Sequence, residues 1–341
     1  MAKHGQPNIK GAELRACLQD QYGLHPITLE YLALGLDYDA GVYRVVDEQG
    51  SAYLLKAQSR PLYTPCYLIP AYLHKQGIAS VVAPLPTKKK TLWARLGGWT
   101  VILYPFLEGA TGWAGMADMQ WKKTGAVFRR IHQTRPPAER FEGVRQETFD
   151  PTEYTHLVNM LEARVANPMP EDTTAESALC SFWLAHQALI RKGLTTLETL
   201  AATLRQHAGP YVICHADLHP GNLIRDLAGH IHVIDWDEVM LAPKERDFIF
   251  VQLPQIDGGA WLDTPPFFQG YGQTKIDWVA LTYYLWERVI QDVIECARSV
   301  YFRNDWGEEA KRGAVELFEQ VVDENNHIIR AAQTSETNIP A

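Results

Sequence analysis

The residue pattern changes near Tyr104-Pro105-Phe106, and this change constrains the fold more than any other feature of the chain. Before it, β-rich runs between Gly and Asp turns predict strands at 27–34, 42–46, 52–57, 80–85 and 99–104, with helices at 11–22 and 66–76. After it, amphipathic periodicity predicts helices at 117–133, 152–165, 177–191, 195–207, about 275–302 and 307–332. We therefore expect a two-lobed α+β fold: a small antiparallel β-sheet lobe over 1–108 and a larger, mainly helical lobe over 109–341.

Composition excludes several classes of protein. Hydrophobic residues make up 46% and charged residues 21% of the 341 residues, as in an ordinary globular protein. No apolar run approaches the roughly 18 to 20 residues that a membrane span needs, and no hydrophobic segment follows the first lysines. The five scattered cysteines never form a CxxC pair, which favours reduced thiols over a zinc site. We expect a cytoplasmic protein without a membrane partner.

The charge is unevenly distributed. The net charge of −8 disfavours nucleic acid as a partner, because a phosphate backbone requires a basic surface. Residues 1–108 carry 11 Lys and Arg against 8 Asp and Glu, whereas the remainder carries 21 against 32. This distribution is compatible with an anionic nucleotide bound by the first part and a cationic substrate attracted by the second, although most surface charge merely solvates a protein.

Two short apolar runs, 211–214 and 231–234, each deliver polar side chains at one end. The first leads into a loop that contains Asp217 and Asn222, and the second ends on Asp235. Pairing of the two runs as a hairpin would bring these three residues together. Two carboxylates and an amide oxygen suit Mg²⁺, which keeps few protein ligands and binds phosphate and water as well. Phosphoryl transfer needs such a metal site and a carboxylate that receives the hydroxyl proton.

The loop HADLHPGN and the later run IDWDEVMLAPKERDFIFV resemble the aminoglycoside phosphotransferase family, which shares the protein-kinase fold. YPFLEG at 104–109, QGYG at 269–272 and TYYLWERVIQDV at 282–293 extend the resemblance. The resemblance spans roughly residues 20 to 300, and within the family it is greatest to spectinomycin phosphotransferases. It therefore implies a kinase-like fold and a small-molecule substrate.

The resemblance also implies a role for particular residues. Asp217 would be the catalytic base, His215 would brace the catalytic loop, and Asp247 would hydrogen-bond that loop from behind. Asn222 and Asp235 would hold Mg²⁺. The residues that would bind ATP are Lys56, at the α- and β-phosphates, and Tyr104, Phe106 and Leu107, whose backbone would contact adenine.

The acceptor pocket of such a fold lies beside the catalytic aspartate. Candidate carboxylates for the amines of a small cationic aminocyclitol are Asp237, Glu238, Glu287, Asp292 and Glu295. Aromatic rings that could stack on a sugar ring are Trp236, Tyr271, Tyr283, Tyr284 and Trp286. Arg288 and Asp292 are four residues apart, a spacing that is equally typical of a surface ion pair.

Two features depart from the usual kinase pattern. Kinase folds pair the strand lysine with a glutamate on the following helix, but no acidic residue occurs between Glu48 and Glu108. The glutamate position falls near Thr64, so either Lys56 is oriented by another group, or the helix is rebuilt, or nucleotide binding is weakened. The predicted phosphate loop, Gly35–Gly41, has glycine only at its ends and matches no Gly-rich fingerprint.

Three functions are compatible with these residues. The leading hypothesis is an ATP- and Mg²⁺-dependent O-phosphotransferase that acts on an aminocyclitol or aminoglycoside antibiotic, spectinomycin first among them, and so confers antibiotic resistance. The second is a metabolic kinase of the same fold that acts on choline, a sugar or an amino alcohol. The third is a non-catalytic pseudokinase, which the missing glutamate motivates. The oligomeric state and the phosphorylated hydroxyl stay open.

Overall fold

The computed structural model describes residues 9–33, 40–135, 141–207, 209–257 and 260–339. The chain has two lobes. The first contains a five-stranded antiparallel sheet of order β1-β2-β3-β5-β4. Its elements are α1 (Gly11–Cys17), β1 (Pro26–Leu32), β2 (Ala40–Asp47), β3 (Ala52–Gln58), α2 (Pro65–Lys75), β4 (Ala94–Leu96) and β5 (Trp99–Pro105). Helix α1 continues as a π-helical turn, Leu18–Tyr22.

The two faces of this sheet have different surroundings. Side chains alternate across a strand, so Leu55 and Ala57 of β3 point to one face and Lys56 points to the other. Leu55 and Ala57 are fully buried against Val45 of β2 and Leu14 of α1 in the core of the first lobe. Lys56 therefore faces the second lobe.

The second lobe is mainly helical. Its helices are α3 (Asp118–Gln133), α4 (Thr152–Ala166), α5 (Thr174–His207), α6 (Pro266–Tyr271), α7 (Trp278–Phe302), α8 (Glu308–Val322) and α9 (His327–Glu336). Short strands are β6 (Gly109–Thr111), β7 (Val212–Cys214), β8 (Leu223–Asp226), β9 (Ile231–Val233), β10 (Met240–Ala242), β11 (Ile256–Asp257) and β12 (Ala260–Trp261). None of the helices in the described part of the chain has the length and apolar character to cross a membrane.

Helix α7 lies at the centre of this lobe. Its apolar stripe, Leu281, Leu285, Val289 and Val293, is buried, as the sequence predicts. Helices α5, α8 and α9 pack around it. Because α7 is packed on several sides, the polar residues on its remaining face, such as Arg288 and Asp292, hold fixed positions beside Asp217 in the second lobe.

Some predicted elements were wrong. Residues 80–85 form no strand and contribute only a bridge from Val81 to Val233, because Pro84 and Pro86 lack the N–H that a sheet ladder needs. The fifth strand is instead β4, which the turn at Gly97–Gly98 joins to β5.

Two predicted helix boundaries also differ. Residues 177–207 lie in one continuous helix, α5, rather than in two. The helix continues through Gly193. The absence of a side chain at this glycine allows the close contact between α5 and Trp286 of α7. The predicted helix 307–332 is two helices, and Asn326 begins the second by accepting hydrogen bonds from the amides of Ile328 and Ile329.

The division at residue 108 stays a prediction. Strand β6 begins directly after it and pairs with β8 of the second lobe. Helix α2, by contrast, belongs to the first lobe in sequence, but Tyr67 and Leu73 on it join the larger hydrophobic cluster of the second. The predicted phosphate loop, Gly35–Gly41, falls mostly on residues 34–39, outside the described residues.

Helices α3 and α6 approach each other at two glycines. A Cβ on Gly270 would lie 1.7 Å from the carbonyl oxygen of Lys122, and one on Gly125 would lie 1.9 Å from that of Phe267. These are backbone atoms, so neither helix can yield without moving as a whole. The α3–α6 contact therefore requires glycine at both positions.

We expect Gly270→Ala to lower the free energy of unfolding by about 1–3 kcal/mol, because the added methyl group overpacks a rigid contact. Gly313→Ala is the control, since Gly313 lies exposed within α8 with nothing within 4 Å of its Cβ position. Alanine there should be neutral or stabilise by up to about 1 kcal/mol. Denaturant unfolding measures both. Equal stability of Gly270→Ala and the unsubstituted protein would contradict the close contact.

Candidate active site

The loop that contains Asp217 follows β7, and the structure corrects the predicted pairing of this strand. Strand β7 pairs with β10, not with the run at 231–234. That run forms β9 and pairs with β8, which the sequence analysis did not foresee. A short turn joins β8 to β9, so these two strands form the hairpin. Strand β7 pairs instead with β10, which lies further along the chain.

The carboxylate of Asp247 holds this loop in place. It accepts hydrogen bonds from the backbone amides of His215 (3.0 Å) and Ala216 (2.8 Å), and from Nε2 of His132 (3.0 Å). Asp247 is fully buried. Ala216 has a φ of 69°, a left-handed conformation that costs energy for a residue with a side chain. The two anchored amides keep the loop in this strained turn, and the contact to the loop is the one that the resemblance implied.

His215 ties the loop to the end of β9. Its Nε2 donates to the carbonyl oxygen of Ile234 (2.9 Å), and its Nδ1 accepts from the amide of Asp217 (3.3 Å). The side chain is buried and packs against Trp236, with 4.8 Å between the ring centroids. His215 therefore braces the segment just before Asp235 and the segment just before Asp217 at the same time.

Asp217, Asn222 and Asp235 lie together even though the expected hairpin is absent. Nδ2 of Asn222 donates to the backbone oxygen of Asp217 (2.8 Å) and to its carboxylate (3.3 Å). The backbone oxygen of Asn222 accepts from the amide of Ile234 (3.0 Å), next to Asp235. Because the amide nitrogen faces Asp217, the side-chain oxygen is the atom that Asn222 offers to a metal. With the Asp235 carboxylate it forms the hard oxygen donor set that fits Mg²⁺.

Lys56 reaches across the cleft to this group. Its Nζ lies 3.1 Å from Oδ1 of Asp235 and also pairs with Asp237, which Arg60 contacts in addition. Burial alone would lower the pKa of Lys56, but the two carboxylates outweigh it and raise the pKa above its ordinary value. Burial opposes ionisation of Asp235 in turn, yet Lys56 holds the pKa of this carboxyl below its ordinary value. Both groups are therefore charged.

The backbone of the connector between the lobes is the predicted contact to adenine. The amide of Phe106 donates to the backbone oxygen of Ala52 (3.3 Å), so this N–H is engaged by the first residue of β3. The Phe106 ring lies under the guanidinium of Arg44 at 5.1 Å. The adenine contacts of Tyr104, Phe106 and Leu107 stay predictions.

A cavity of about 390 Å³ opens beside Asp217. Residues of α4, the catalytic loop and α7 line it. Three of the predicted substrate carboxylates, Glu238, Asp292 and Glu295, are among the lining residues. Further charged or polar lining residues are Glu153, Tyr154, Arg246, Arg288, Gln291 and Arg298. Its place next to the predicted base makes it the candidate acceptor site.

Three predicted substrate residues lie elsewhere. Glu287 is buried, pairs with Arg246 and accepts from the hydroxyl of Tyr154 (3.2 Å), so its charge is already compensated. Trp236 is 3% exposed and donates to the backbone oxygen of Val233 (3.4 Å). Tyr271 is 7% exposed and bonds Nδ1 of His132 (2.8 Å). These side chains build the core around the site.

The remaining candidates divide in the same way. Tyr283, Tyr284 and Trp286 are buried on the packed faces of α7 and cannot stack on a substrate. Asp237 faces Lys56 and Arg60 rather than the acceptor cavity. Each of these residues was predicted to bind substrate because it is aromatic or acidic and lies near the motif in sequence. In the structure the aromatic rings are buried in the core, and Asp237 forms ion pairs with Lys56 and Arg60.

The sequence analysis missed the contact between Arg288 and Asp217. The guanidinium bonds Oδ1 of Asp217 (2.9 Å) and Oδ2 of Asp292 (2.9 Å) and lies over the ring of Phe250 at 5.2 Å. Burial raises the pKa of Asp292, and Arg288 opposes that rise. The i,i+4 spacing indicated the pair between Arg288 and Asp292. It could not indicate the contact with Asp217, because this residue lies far away in sequence. Arg288 and Asn222 together fix the orientation of the Asp217 carboxylate.

His219 and Trp113 form the other side of the catalytic loop. His219 Nε2 lies 3.5 Å from Oδ2 of Asp217, and its ring stacks on Trp113 at 5.7 Å between centroids. Burial lowers the pKa of His219, although Asp217 opposes the shift. Trp113 is 65% exposed, which is unusual for so large an apolar ring. No pattern in the sequence indicated that Trp113 lies at the site.

A model of the APH phosphotransferase enzyme family matches residues 30–284. The chain belongs to this family. This APH phosphotransferase is similar to the crystal structure of spectinomycin phosphotransferase APH(9)-Ia in complex with ADP and spectinomycin, with 28% identity, a TM-score of 0.85 and coverage of 97% of this chain and 99% of the other. The AMP-bound complex of that enzyme is similar at 26% identity and a TM-score of 0.81, covering 96% and 99%.

A sequence relative is Protein StrN of Streptomyces griseus, 25% identical over 212 residues. The match covers 60% of this chain and 64% of StrN, so the chain spans less than two thirds of that relative. The family match ends at residue 284, before the cavity-lining part of α7. Membership therefore bears on the catalytic loop and the strand lysine more than on the acceptor cavity of this APH phosphotransferase.

We expect Asp247→Asn to lower the free energy of unfolding by about 1–3 kcal/mol, because the amide nitrogen would face a donor and leave a buried N–H unpaired. The control is Asp305→Asn, whose carboxylate is 66% exposed and accepts hydrogen bonds from Arg303. It should change stability by no more than about 0.5 kcal/mol. Denaturant unfolding distinguishes the two. Equal effects would mean that the catalytic loop does not depend on the charge of Asp247.

Proposed function

We propose that this phosphotransferase uses ATP and Mg²⁺ to phosphorylate a hydroxyl group of an aminocyclitol or aminoglycoside antibiotic, with spectinomycin as the first candidate. The observation that carries the proposal is the position of Asp217. Its carboxylate lines the acceptor cavity and is hydrogen-bonded to Asn222, next to Asp235. A base, a metal-ligand pair and an acceptor cavity thus meet at one point, as phosphoryl transfer requires.

Asp217 acts as the base. The substrate hydroxyl would enter the cavity and donate its proton to the Asp217 carboxylate, while its oxygen forms a bond to the γ-phosphorus of ATP. The bond from this phosphorus to the β,γ-bridging oxygen would break, and ADP would leave with that oxygen. Asn222 and Arg288 hold one carboxylate oxygen each, and each oxygen keeps a lone pair for the incoming hydroxyl. This arrangement orients the carboxylate before the substrate arrives, which is a main contribution of a positioned base.

Asn222 and Asp235 would hold the metal ion. Magnesium neutralises charge on the phosphates and orients them when it is bound. Asp235 is 45% exposed at its side chain, as a ligand that shares its metal with a nucleotide must be. Lys56 lies beside it and would contact the α- and β-phosphates. Tyr104 and Leu107 would contact adenine.

The charge of the acceptor cavity supports a cationic substrate. Its acidic residues are Glu153, Asp217, Glu238, Asp292 and Glu295, against the three arginines Arg246, Arg288 and Arg298. The excess of carboxylates attracts amines. The similarity to a spectinomycin phosphotransferase solved with ADP and spectinomycin supports an aminocyclitol over choline or a simple sugar. Antibiotic resistance in the cytoplasm is the role that we propose for this activity.

We expect Asp217→Asn to lower kcat by about 10²- to 10⁴-fold, because an amide cannot accept the hydroxyl proton. The measurement is coupled ADP release with ATP and Mg²⁺, with and without spectinomycin. Asp172→Asn is the control: it makes the same chemical change in an ion pair with Arg164, away from the cleft, and should keep the activity.

Other results of this assay favour the other hypotheses. Release that only choline, a sugar or an amino alcohol stimulates would replace the antibiotic substrate with a metabolic one. A protein that releases no ADP with any acceptor would be a pseudokinase. Full activity in Asp217→Asn would contradict the role of Asp217 as the base, whatever the acceptor.

A further inference from the structure

Among the described residues of the first lobe, no carboxylate pairs with the lysine that faces the nucleotide side of the cleft. Helix α2, Pro65–Lys75, contains no Asp or Glu, and neither does the rest of the chain between Glu48 and Glu108. A kinase fold usually uses a glutamate on this helix to hold the lysine toward the phosphates. An unheld lysine side chain loses this orientation, because its four-carbon stem has many rotamers.

Helix α2 instead serves as core. Tyr67 on it is fully buried, and its hydroxyl accepts from the amide of Gln58 on β3. Sγ of Cys66, also buried, contacts the backbone oxygen of Tyr63 (2.9 Å). The helix face toward β3 is therefore filled by neutral groups, so a different part of the chain must hold Lys56.

Asp237 supplies the missing carboxylate from the second lobe. It lies two residues after Asp235 and pairs with Nζ of Lys56. Arg60, four residues after the lysine, pairs with the same carboxylate. The side chains of Lys56 and Asp237 are 13% and 14% exposed. Shielding from water strengthens an ion pair and makes its loss costly.

We propose that Asp237 positions Lys56 for the nucleotide phosphates and replaces the helix glutamate of other kinase folds. The inference rests on the proposed use of a nucleotide. It assigns Asp237 as a positioning residue that acts through Lys56, and it removes Asp237 from the acceptor-binding residues.

Asp235 cannot fill this role alone. It also contacts Lys56, at 3.1 Å, but it is the proposed metal ligand. Once a divalent cation binds Asp235, the attraction between this carboxylate and the lysine is offset by repulsion from the metal. Asp237 is then the carboxylate that still faces Lys56. Its second partner, Arg60, keeps it in place from the side of the first lobe.

The ion pair between Lys56 and Asp237 also changes which part of the protein sets the position of the lysine. Lys56 belongs to β3 of the first lobe and Asp237 to the loop after β9 of the second, so their contact crosses the cleft. In a fold that uses a helix glutamate, the position of the helix sets the lysine. Here the approach of the two lobes sets it, together with the same loop that contains the metal ligand.

The test measures nucleotide binding without any acceptor, by titrating ATP and Mg²⁺ into Asp237→Asn, Lys56→Met and the double variant. We expect each single variant to weaken nucleotide binding by about 10-fold or more, a coupling in the range found for residues in contact. The double variant should bind no more weakly than Lys56→Met, since Asp237 acts through the lysine. The KM for the acceptor should stay within about twofold of its value in the unsubstituted protein.

Asp172→Asn is again the control for a carboxylate-to-amide change in an ion pair, and thermal unfolding of every variant shows that it is folded. Asp237→Glu keeps the charge and should restore part of the affinity. If Asp237→Asn raises the acceptor KM and leaves nucleotide binding unchanged, the residue binds substrate and the inference is overturned. Additive losses in the double variant would overturn it too. An unsubstituted protein that binds no nucleotide would instead refute the proposed function, and the inference with it.

Discussion

The fully buried carboxylate of Asp247 is the interaction on which the rest of the site depends. A buried charge must be compensated, and Asp247 receives that compensation from two backbone amides of the catalytic loop and from His132. Since one of those amides belongs to Ala216, the bonds also hold the left-handed turn that directs Asp217 into the cleft. His132 in turn bonds Tyr271, so α3 and α6 join the support of the loop. The close glycine contact between these helices therefore contributes to the position of Asp217.

A second carboxylate system connects the lobes. Asp235 and Asp237 stand after β9, two residues apart, and both face Lys56 from the opposite lobe. The positions of these acids depend on His215, which holds the backbone of Ile234 directly before them. The proposed metal ligand Asp235, the lysine that it faces and the proposed base thus share one support, because His215 also accepts from the amide of Asp217. A shift of this histidine would move all three groups together.

The sequence predicted which loop residues lie together better than it predicted the packing around them. The order of Asp217, Asn222 and Asp235 along two strand ends was enough to place them together, although the strands pair differently from the expected hairpin. The spacing along the chain predicts this grouping because each of the three residues lies within a few residues of a strand end. It cannot show which helix face is buried, and so Trp236 and Tyr271 were taken for substrate contacts. Nor can it reveal partners distant in sequence, which is why Arg288 was taken for half of a surface pair.

Arg288 bears on which acceptors fit. It neutralises Asp217 and Asp292 together, so a cationic substrate does not meet two bare carboxylates at the base. Its guanidinium has five N–H donors in a fixed plane, and an acceptor that offers oxygens beside the reacting hydroxyl can accept from them. Under the proposed function, the amines would then pair with another lining carboxylate, such as Glu295. A molecule with clustered ring oxygens and amines spaced away from them matches this arrangement. Choline, with a single hydroxyl and a cation close to it, would place its charge beside Arg288 instead.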